Sequence, residues 1–493
     1  MKNSLPAGSP NIVYILADDM GYGDLSCLNP DSKIHTRHLD AMAANGMHFR
    51  DAHSSSAVCT PSRYSILTGR YNWRSWLKEG VVFGYDKPVI EKDIPTVAGY
   101  LKKQGYETSC IGKWHLGWDW SKNGPGAEDI DYTGPISGGP VDCGFDSFYG
   151  MVGSPDIPPY VYIQDRHPTA VPDRNIEENT DFQAFWRPGP IAPDFDHMDC
   201  LPHLTRRAVD YIKKPKQSER PYFLYFPIGA PHTPILPTPE FQGKSGTNAY
   251  GDFCLMVDDV VRQIREAVAE TGNAENTLVI FTSDNGCSPR ARFEELAEYG
   301  HNPSHVFRGH KADIYEGGHR IPLLMEWPAV IQAGSATDET VCLSDLFATC
   351  ADFLNVPLAE NEAVDSVSNL PLLQGEAKAP VREATVHHSF FGAFAIRKGK
   401  WKLEMCPGSG GWSFPQPGKD DDHLLPPVQL YNLEDDIGER KNLEASYPDI
   451  VKELQDDLTR MVHRGRSTPG PDQANTGDLE WPQLWWMLSQ TPE

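Results

Sequence analysis

The sequence predicts an α/β fold: a large, mostly parallel sheet sandwiched by helices, followed by a smaller C-terminal α+β subdomain with a small antiparallel sheet and a helix. Three observations carry this. From Asn11 to about Leu373, short apolar runs alternate with helical patterns, the arrangement that builds βα units into a parallel sheet. The candidate strands 12–17, 106–111, 222–226 and 278–282 are rich in β-branched or aromatic residues and mostly apolar throughout, as strands covered on both faces are. After Leu373 the stretch QGEAKAPVRE reads as a linker, which divides the chain into 1–375 and 376–493.

Between these strands, apolar residues recur at helical spacing over 36–45, 94–104, 204–213 and 252–270. Residues 155–202 are rich in Pro, Asp and aromatics with weak periodicity and predict long loops beside a site. In the C-terminal part FAIRKGKWKLE has strand character, LYNLEDDIGERKNL reads as a strand and turn, and 447–464 is amphipathic with helical spacing. The sequence contains no internal repeat or low-complexity tract.

Composition bounds the partners. Lys and Arg total 44 against 68 Asp and Glu, a formal charge of −24, which repels nucleic-acid backbones and acidic membrane surfaces. No stretch approaches the ~20 apolar residues of a membrane helix. MKNSLPAGSP lacks an apolar core before Asn11, so the sequence as it stands reads as cytoplasmic, or as periplasmic or secreted if a leader has been removed. The 10 cysteines are scattered without a CxxC pair, so neither a zinc knuckle nor a dense disulfide framework is indicated. A monomer and a homo-oligomer both remain open.

Ligands of open parallel sheets bind at the carboxyl ends of the strands. NIVYILADD ends in Asp18 and Asp19, and NTLVIFTSDNG ends in Asp284 and Asn285; YETSCIGKWH leads to Lys113 and His115, and YFLYFPIGAPH to His232. Singly, an acidic pair after a strand is a turn or a helix cap and a loop histidine is a solvated or structural one. Gathered along one sheet edge, the two pairs supply hard oxygens that suit Ca²⁺ or Mg²⁺, with lysines and histidines to meet an anionic substrate.

SSSAVCTPSRYSILTGRY contains a further candidate. Pro61 suits the first turn of a helix, Thr60 can cap it and Gly69 can stop it. Cys59 therefore sits at a helix N-terminus, where the dipole favours a thiolate. A cysteine phosphatase needs a longer loop between Cys and Arg to encircle a phosphate; only Thr60, Pro61 and Ser62 precede Arg63.

Cys-Thr-Pro-Ser-Arg followed by Tyr-Ser-Ile-Leu-Thr-Gly-Arg resembles the signature of the type I sulfatases, the formylglycine-dependent members of the alkaline phosphatase superfamily. ADDMGYGDLSC, GYETSCIGKWHLG, APHTP, FTSDNG, KADIYEGGHRIP and LYNLEDDIGERKNL follow in the family's order, so the resemblance runs from about residue 10 to 465. It implies an alkaline-phosphatase-like fold and a bacterial carbohydrate or aryl sulfatase. It also implies that a separate maturation enzyme oxidises Cys59 to formylglycine, whose hydrate attacks sulfur with one hydroxyl and expels sulfate with the other.

By the same resemblance Asp18, Asp19, Asp284 and Asn285, with residue 59, hold Ca²⁺, Mg²⁺ being the weaker candidate. Arg63 orients residue 59, and Lys113 and Lys311 neutralise the sulfate. His115 takes a proton and His232 protonates the leaving alcohol. Ser154 and His310 are additional substrate-binding candidates; His301, His305 and His319 have no metal-pair spacing and suit solvated or structural roles as well as substrate contact. Asp156, Arg166, His167, Trp186 and Arg187 in the long loop suit a sugar ring, which points to an exo-acting enzyme on a sulfated saccharide. A phosphoester or phosphonate hydrolase on the same scaffold is the alternative, and a non-catalytic binding protein the third reading; the latter would have lost a nucleophile, ligand or lysine, and none is missing.

Overall fold

The structure, a computed structural model, describes residues 8–126, 129–214, 220–478 and 480–488. Residues 1–7, on which the reading of the leader rests, lie outside the described residues. A 10-stranded sheet forms the centre. Its strands in chain order are β1 (Asn11–Ala17), β2 (Met47–Phe49), β3 (Glu107–Lys113), β4 (Ser147–Met151), β5 (Ile163–Gln164), β6 (His167–Pro168), β7 (Tyr222–Pro227), β8 (Thr277–Ser283), β9 (Leu323–Glu326) and β10 (Ser335–Thr337). The spatial order is β10-β2-β9-β8-β1-β7-β3-β4-β5-β6. The central block β8-β1-β7-β3-β4 is parallel throughout, so five adjacent strands release their carboxyl ends at one edge.

The four strands expected from the sequence are this block less β4, and their apolar character has the expected cause. Along β1, Ile12, Tyr14 and Leu16 enter one buried cluster while Val13, Ile15 and Ala17 enter another on the opposite face. Both faces are covered, so no polar alternation survives. Helix boundaries moved where a cap decides them. The helix expected from 94 begins at Val97 because the Thr96 side chain accepts from the Gly99 amide at 3.0 Å. The one expected from 252 begins at Ala249, capped by the Asn248 side chain on the amides of Tyr250 and Gly251.

The C-terminal part carries a 4-stranded antiparallel sheet of β11 (Thr385–His388), β12 (Phe394–Lys398), β13 (Trp401–Glu404) and β14 (Gln429–Asn432), with the helix Pro448–Arg464 against it. FAIRKGKWKLE is its central hairpin. Among the described residues no helix is long and apolar enough to cross a membrane.

The two sheets meet at a buried polar junction. His53 Nδ1 lies 3.0 Å from His319 Nδ1, and the rings of His319 and His387 stack at 3.9 Å and 5°. Beside them the Lys402 ammonium donates to Glu439 at 2.6 Å and to the Ile314 carbonyl at 2.9 Å, with Glu316 and Glu404 at 3.3 and 3.2 Å. Burial opposes the Lys402 charge, but Glu439, Glu316 and Glu404 hold its pKa above the ordinary value. Replacing Lys402 with Met strands these carboxylates; the expected cost is about 3–5 kcal/mol, measured as the shift of the denaturant unfolding midpoint.

Burial also holds His53, His319 and His387 below the ordinary 6.5 and brings His388 down to about 3. The unfolded chain therefore takes up more protons than the folded one as pH falls below that ordinary value, and stability is lost. Each such group is worth up to about 1.4 kcal/mol per pH unit. Unfolding free energies at pH 7.5 and 5.5 should differ by more than one such histidine supplies, and a flat profile would refute the neutral buried cluster.

Candidate functional site

The helix that opens with Cys59 explains why a polar segment folds inward. Every residue of Cys59–Thr68 is buried, and three of its hydroxyls are absorbed by the helix itself: Ser62, Ser65 and Thr68 donate to the carbonyls of Val58, Pro61 and Tyr64, four positions back. Gly69 ends it in the left-handed conformation, φ 62°, as the sequence predicts. Thr60 does not cap it. The helix starts at Cys59 with Val58 in the cap position, and the Thr60 hydroxyl instead donates to the His115 carbonyl at 2.9 Å, drawing the loop after β3 against the helix.

The carboxyl ends of the parallel block converge on this N-terminus. After β1 the chain turns through Asp19 at φ 67°, an uncommon conformation for a non-glycine residue, and the two carboxylates meet different cations. Asp18 accepts from Lys113 at 2.7 Å and lies 3.6 Å from Arg63. Asp19 accepts from Lys311 at 2.7 Å and from the Asn285 amide at 2.7 Å. Arg63 is fully buried and donates twice to Asp284 Oδ2, at 3.0 and 2.6 Å. His115 also has positive φ, 56°; its Nε2 donates to the Val82 carbonyl at 2.8 Å. That bond puts the ring proton on Nε2 and leaves Nδ1 buried without a partner. His232 donates from Nδ1 to the Thr233 carbonyl at 2.7 Å and holds Nε2 3.6 Å from Asp19.

The electrostatics follow from burial against close charge. Burial works against the Asp18 carboxylate, but Lys113, His232, Arg63 and Lys311 outweigh it and hold it well below the usual carboxylate range. Burial pushes Asp284 up to about 6, with Arg63 opposing and Asp18 and Asp19 adding to the rise. Burial, then Lys113 and Arg63, keeps His115 well below the ordinary imidazole value, so it is a neutral base. Burial also pushes the Cys59 thiol up, more than Lys113 and Lys311 pull it down. The helix N-terminus thus does not yield the thiolate that its position alone suggests.

The donor set fits a hard divalent cation. Asp18 Oδ1 and Asn285 Oδ1 are buried with no hydrogen-bond partner, and ligand atoms of Asp18, Cys59 and Asp284 lie within 4.8 Å of one another. Crowded carboxylates with unpaired oxygens are what such an ion relieves. The histidines His53, His319 and His387 also lie within 4.8 Å of one another. They are a poorer cage, because two of the rings are stacked face to face and Lys402 already donates to His319 at 3.2 Å.

Of the other residues singled out from the sequence, Ser154 is buried with its hydroxyl unpartnered and follows Gly153, which passes the His115 ring. His310 adjoins Lys311, its Nδ1 on the Lys311 carbonyl at 2.9 Å. Asp156 lies 3.8 Å from His232 and pairs with Arg187. The remaining candidates have other partners or placements. Arg166 pairs with Asp142 at the surface, His167 lies in the edge strand β6, and Trp186 stacks on His197 at 4.6 Å. His301 bonds Asp24 at 2.8 Å, His305 stacks on Tyr22 at 6.2 Å, and His319 belongs to the junction. Sequence reasoning missed the Val82 carbonyl, which sets the His115 tautomer and leaves no side-chain signal. It also missed His53 and His387, whose separation along the chain has no periodicity.

Comparison with known proteins gives a single family. Residues 10–356 match the family model described as Sulfatase. The chain is 32% identical to an N-acetylgalactosamine-6-O-sulfatase of Bacteroides thetaiotaomicron, over 94% of this chain and 95% of that protein. It is 31% identical to human arylsulfatase A, over 96% and 92%. A solved B. thetaiotaomicron sulfatase, described with the metabolism of multiple glycosaminoglycans, superposes with a TM-score of 0.79 at 31% identity, covering 92% of this chain and 99% of that one.

Proposed function

The chain belongs to the sulfatase family and hydrolyses sulfate esters, and from that premise we propose that residue 59 is the nucleophile, as formylglycine, on a terminal sulfated sugar. The observation that carries this is the Cys59 helix N-terminus set among three cations and three carboxylates, Arg63, Lys113 and Lys311 with Asp18, Asp19 and Asp284. A neutral buried thiol is a poor nucleophile. The hydrate of the aldehyde made from it by a maturation enzyme supplies two hydroxyls on one carbon, one to attack sulfur and one whose deprotonation expels sulfate.

Each neighbouring side chain then has a task. Lys113 and Lys311 bind the sulfate oxygens, with Ser154 and His310 as further contacts. Arg63, pinned by Asp284, steadies the oxygen of residue 59. His115 accepts its proton at the unpartnered Nδ1, and His232 delivers a proton from Nε2 to the departing alkoxide. Asp18, Asp19, Asp284 and Asn285, with residue 59, would hold Ca²⁺, which when bound would lower the cost of negative charge on the nucleophilic oxygen. The likeness to the N-acetylgalactosamine-6-O-sulfatase supports a 6-O-sulfated hexosamine as the substrate class. We also retain the division into a catalytic unit, 1–375, and a C-terminal unit, 376–493.

The peptide containing residue 59, taken from active enzyme, should carry the mass of an aldehyde or its hydrate; an intact thiol refutes the mechanism. Cys59→Ala should lower kcat/KM by about 10⁴-fold or more with unchanged unfolding. Protein stripped by a chelator should gain about 2.7 kcal/mol when Ca²⁺ is restored to about 100 times its Kd. The corresponding rise in Tm should vanish in Asn285→Leu and be smaller with Mg²⁺.

A further inference from the structure

One carboxylate at the mouth of this site is left without work. Asp156 lies on the segment leaving β4. That segment passes the His115 ring at Gly153 and ends beside His232. The Asp156 side chain is 5% exposed, and its Oδ1 is buried with no hydrogen-bond partner. His232 Nδ1 is 3.8 Å from it but already donates to Thr233 at 2.7 Å, so the histidine does not satisfy it. A buried carboxylate oxygen without a donor is costly and marks a place where a donor from outside belongs.

The partner of Asp156 is arranged to accept such a guest. Arg187 grips Asp156 through Nη1 alone, at the carboxylate Oδ2 and at the backbone carbonyl, 3.3 Å away. Among the described residues its other guanidinium nitrogens have no hydrogen bond, and its side chain is 39% exposed. The guanidinium lies over two rings, Phe83 at 5.5 Å and Phe185 at 5.3 Å. Phe83 follows Val82, the residue that holds His115, and the backbone on the other side is tied in by Thr233, which donates to Gln183 at 2.7 Å. Arg187 is therefore fixed between the walls that bear His115 and His232, with free donors next to a free acceptor.

We propose that Asp156 and Arg187 form a hydroxyl-reading clamp for the sugar ring that bears the sulfate, Asp156 Oδ1 accepting from one ring hydroxyl and the free Arg187 nitrogens donating to a neighbouring oxygen. This rests on the sulfated-sugar reading above. A carboxylate paired on one side with a guanidinium reads a donor and an acceptor on adjacent carbons, the pattern of a vicinal diol or a hydroxyl beside an acetamido group. Such a site rejects a substrate that lacks the hydroxyl, because its buried groups then go unpaired. It gives an aryl sulfate nothing.

The test compares N-acetylgalactosamine 6-sulfate with cyclohexylmethyl sulfate, which has the same kind of primary alkoxide leaving group and no ring hydroxyl. Asp156→Asn and Arg187→Ala should each lower the ratio of the two kcat/KM values about 10–100-fold, the scale of hydrogen bonds to charged groups. In the Cys59→Ala background, calorimetry should show Asp156→Asn weakening N-acetylgalactosamine binding at least tenfold with inorganic sulfate binding retained. Equal losses on both esters would mean that Asp156 works through His232 and would overturn the clamp, as would an unchanged ratio or unchanged sugar binding. Wild-type turnover of aryl sulfate without any sugar sulfate would also overturn it, whereas failure on every sulfate ester would strike the sulfatase reading itself.

Discussion

Everything at the site depends on one constraint: three carboxylates and three cations are buried together at the end of a parallel sheet, and none can be neutralised by water. Asp18, Asp19 and Asp284 are each within hydrogen-bond distance of a different cation, Lys113, Lys311 and Arg63. Separately each pair would cost more in desolvation than it returns. Interleaved, every charge has neighbours of both signs, and the geometry tolerates little displacement. The left-handed turn at Asp19 is one price of that arrangement. At this turn the successive carboxylates of Asp18 and Asp19 meet different cations, Lys113 and Lys311.

The 4-stranded sheet takes part in the same constraint. The Ala57 amide, two residues before Cys59, donates to the His388 carbonyl at 2.9 Å, and the Phe390 amide donates to Ala312, next to Lys311, at 2.9 Å. The segment before the Cys59 helix and the Lys311 loop thus lean on β11 and the residues that follow it in the second sheet's chain. The buried junction around Lys402 sits directly behind them, joining β13, the Glu316–His319 turn and the Ile314 backbone. The loop from Lys311 to His319 is continuous with both the site and that junction.

How much of this was legible follows from where the signal lay. Strand ends carry their chemistry in consecutive residues, so Asp18, Asp19, Asp284, Asn285, Lys113 and His115 stand out from the apolar runs before them. The parallel sheet then gathers them without further instruction. Thr60 misled, because its capping potential is local while the His115 carbonyl that claims it lies 55 residues away. In the loop after β4 the sequence offers Asp156, Arg166, His167, Trp186 and Arg187 alike as residues suited to a sugar ring. Its sequence does not say that Asp156 and Arg187 come together while Arg166 and His167 lie apart from them; Tyr160 helps to join the first two, its hydroxyl lying 3.1 and 2.6 Å from their backbone carbonyls. The histidine junction was invisible for a related reason: His53, His319 and His387 come from three segments with no shared period.

Burial also bears on when residue 59 can acquire its chemistry. Cys59 is 3% exposed, and every residue of its helix is buried. The hydroxyls of Ser62, Ser65 and Thr68 point back to their own helix, and Arg63 is locked to Asp284. In the folded protein the stretch Cys-Thr-Pro-Ser-Arg has no free edge that a second enzyme could bind as an extended peptide. Exposing it means parting Arg63 from Asp284 and Thr60 from His115, which dismantles the carboxylate–cation array. On the proposed formylglycine reading, the maturation enzyme would have to meet the chain before the helix packs, because the same burial that encloses the thiol also encloses the carboxylate–cation array around it.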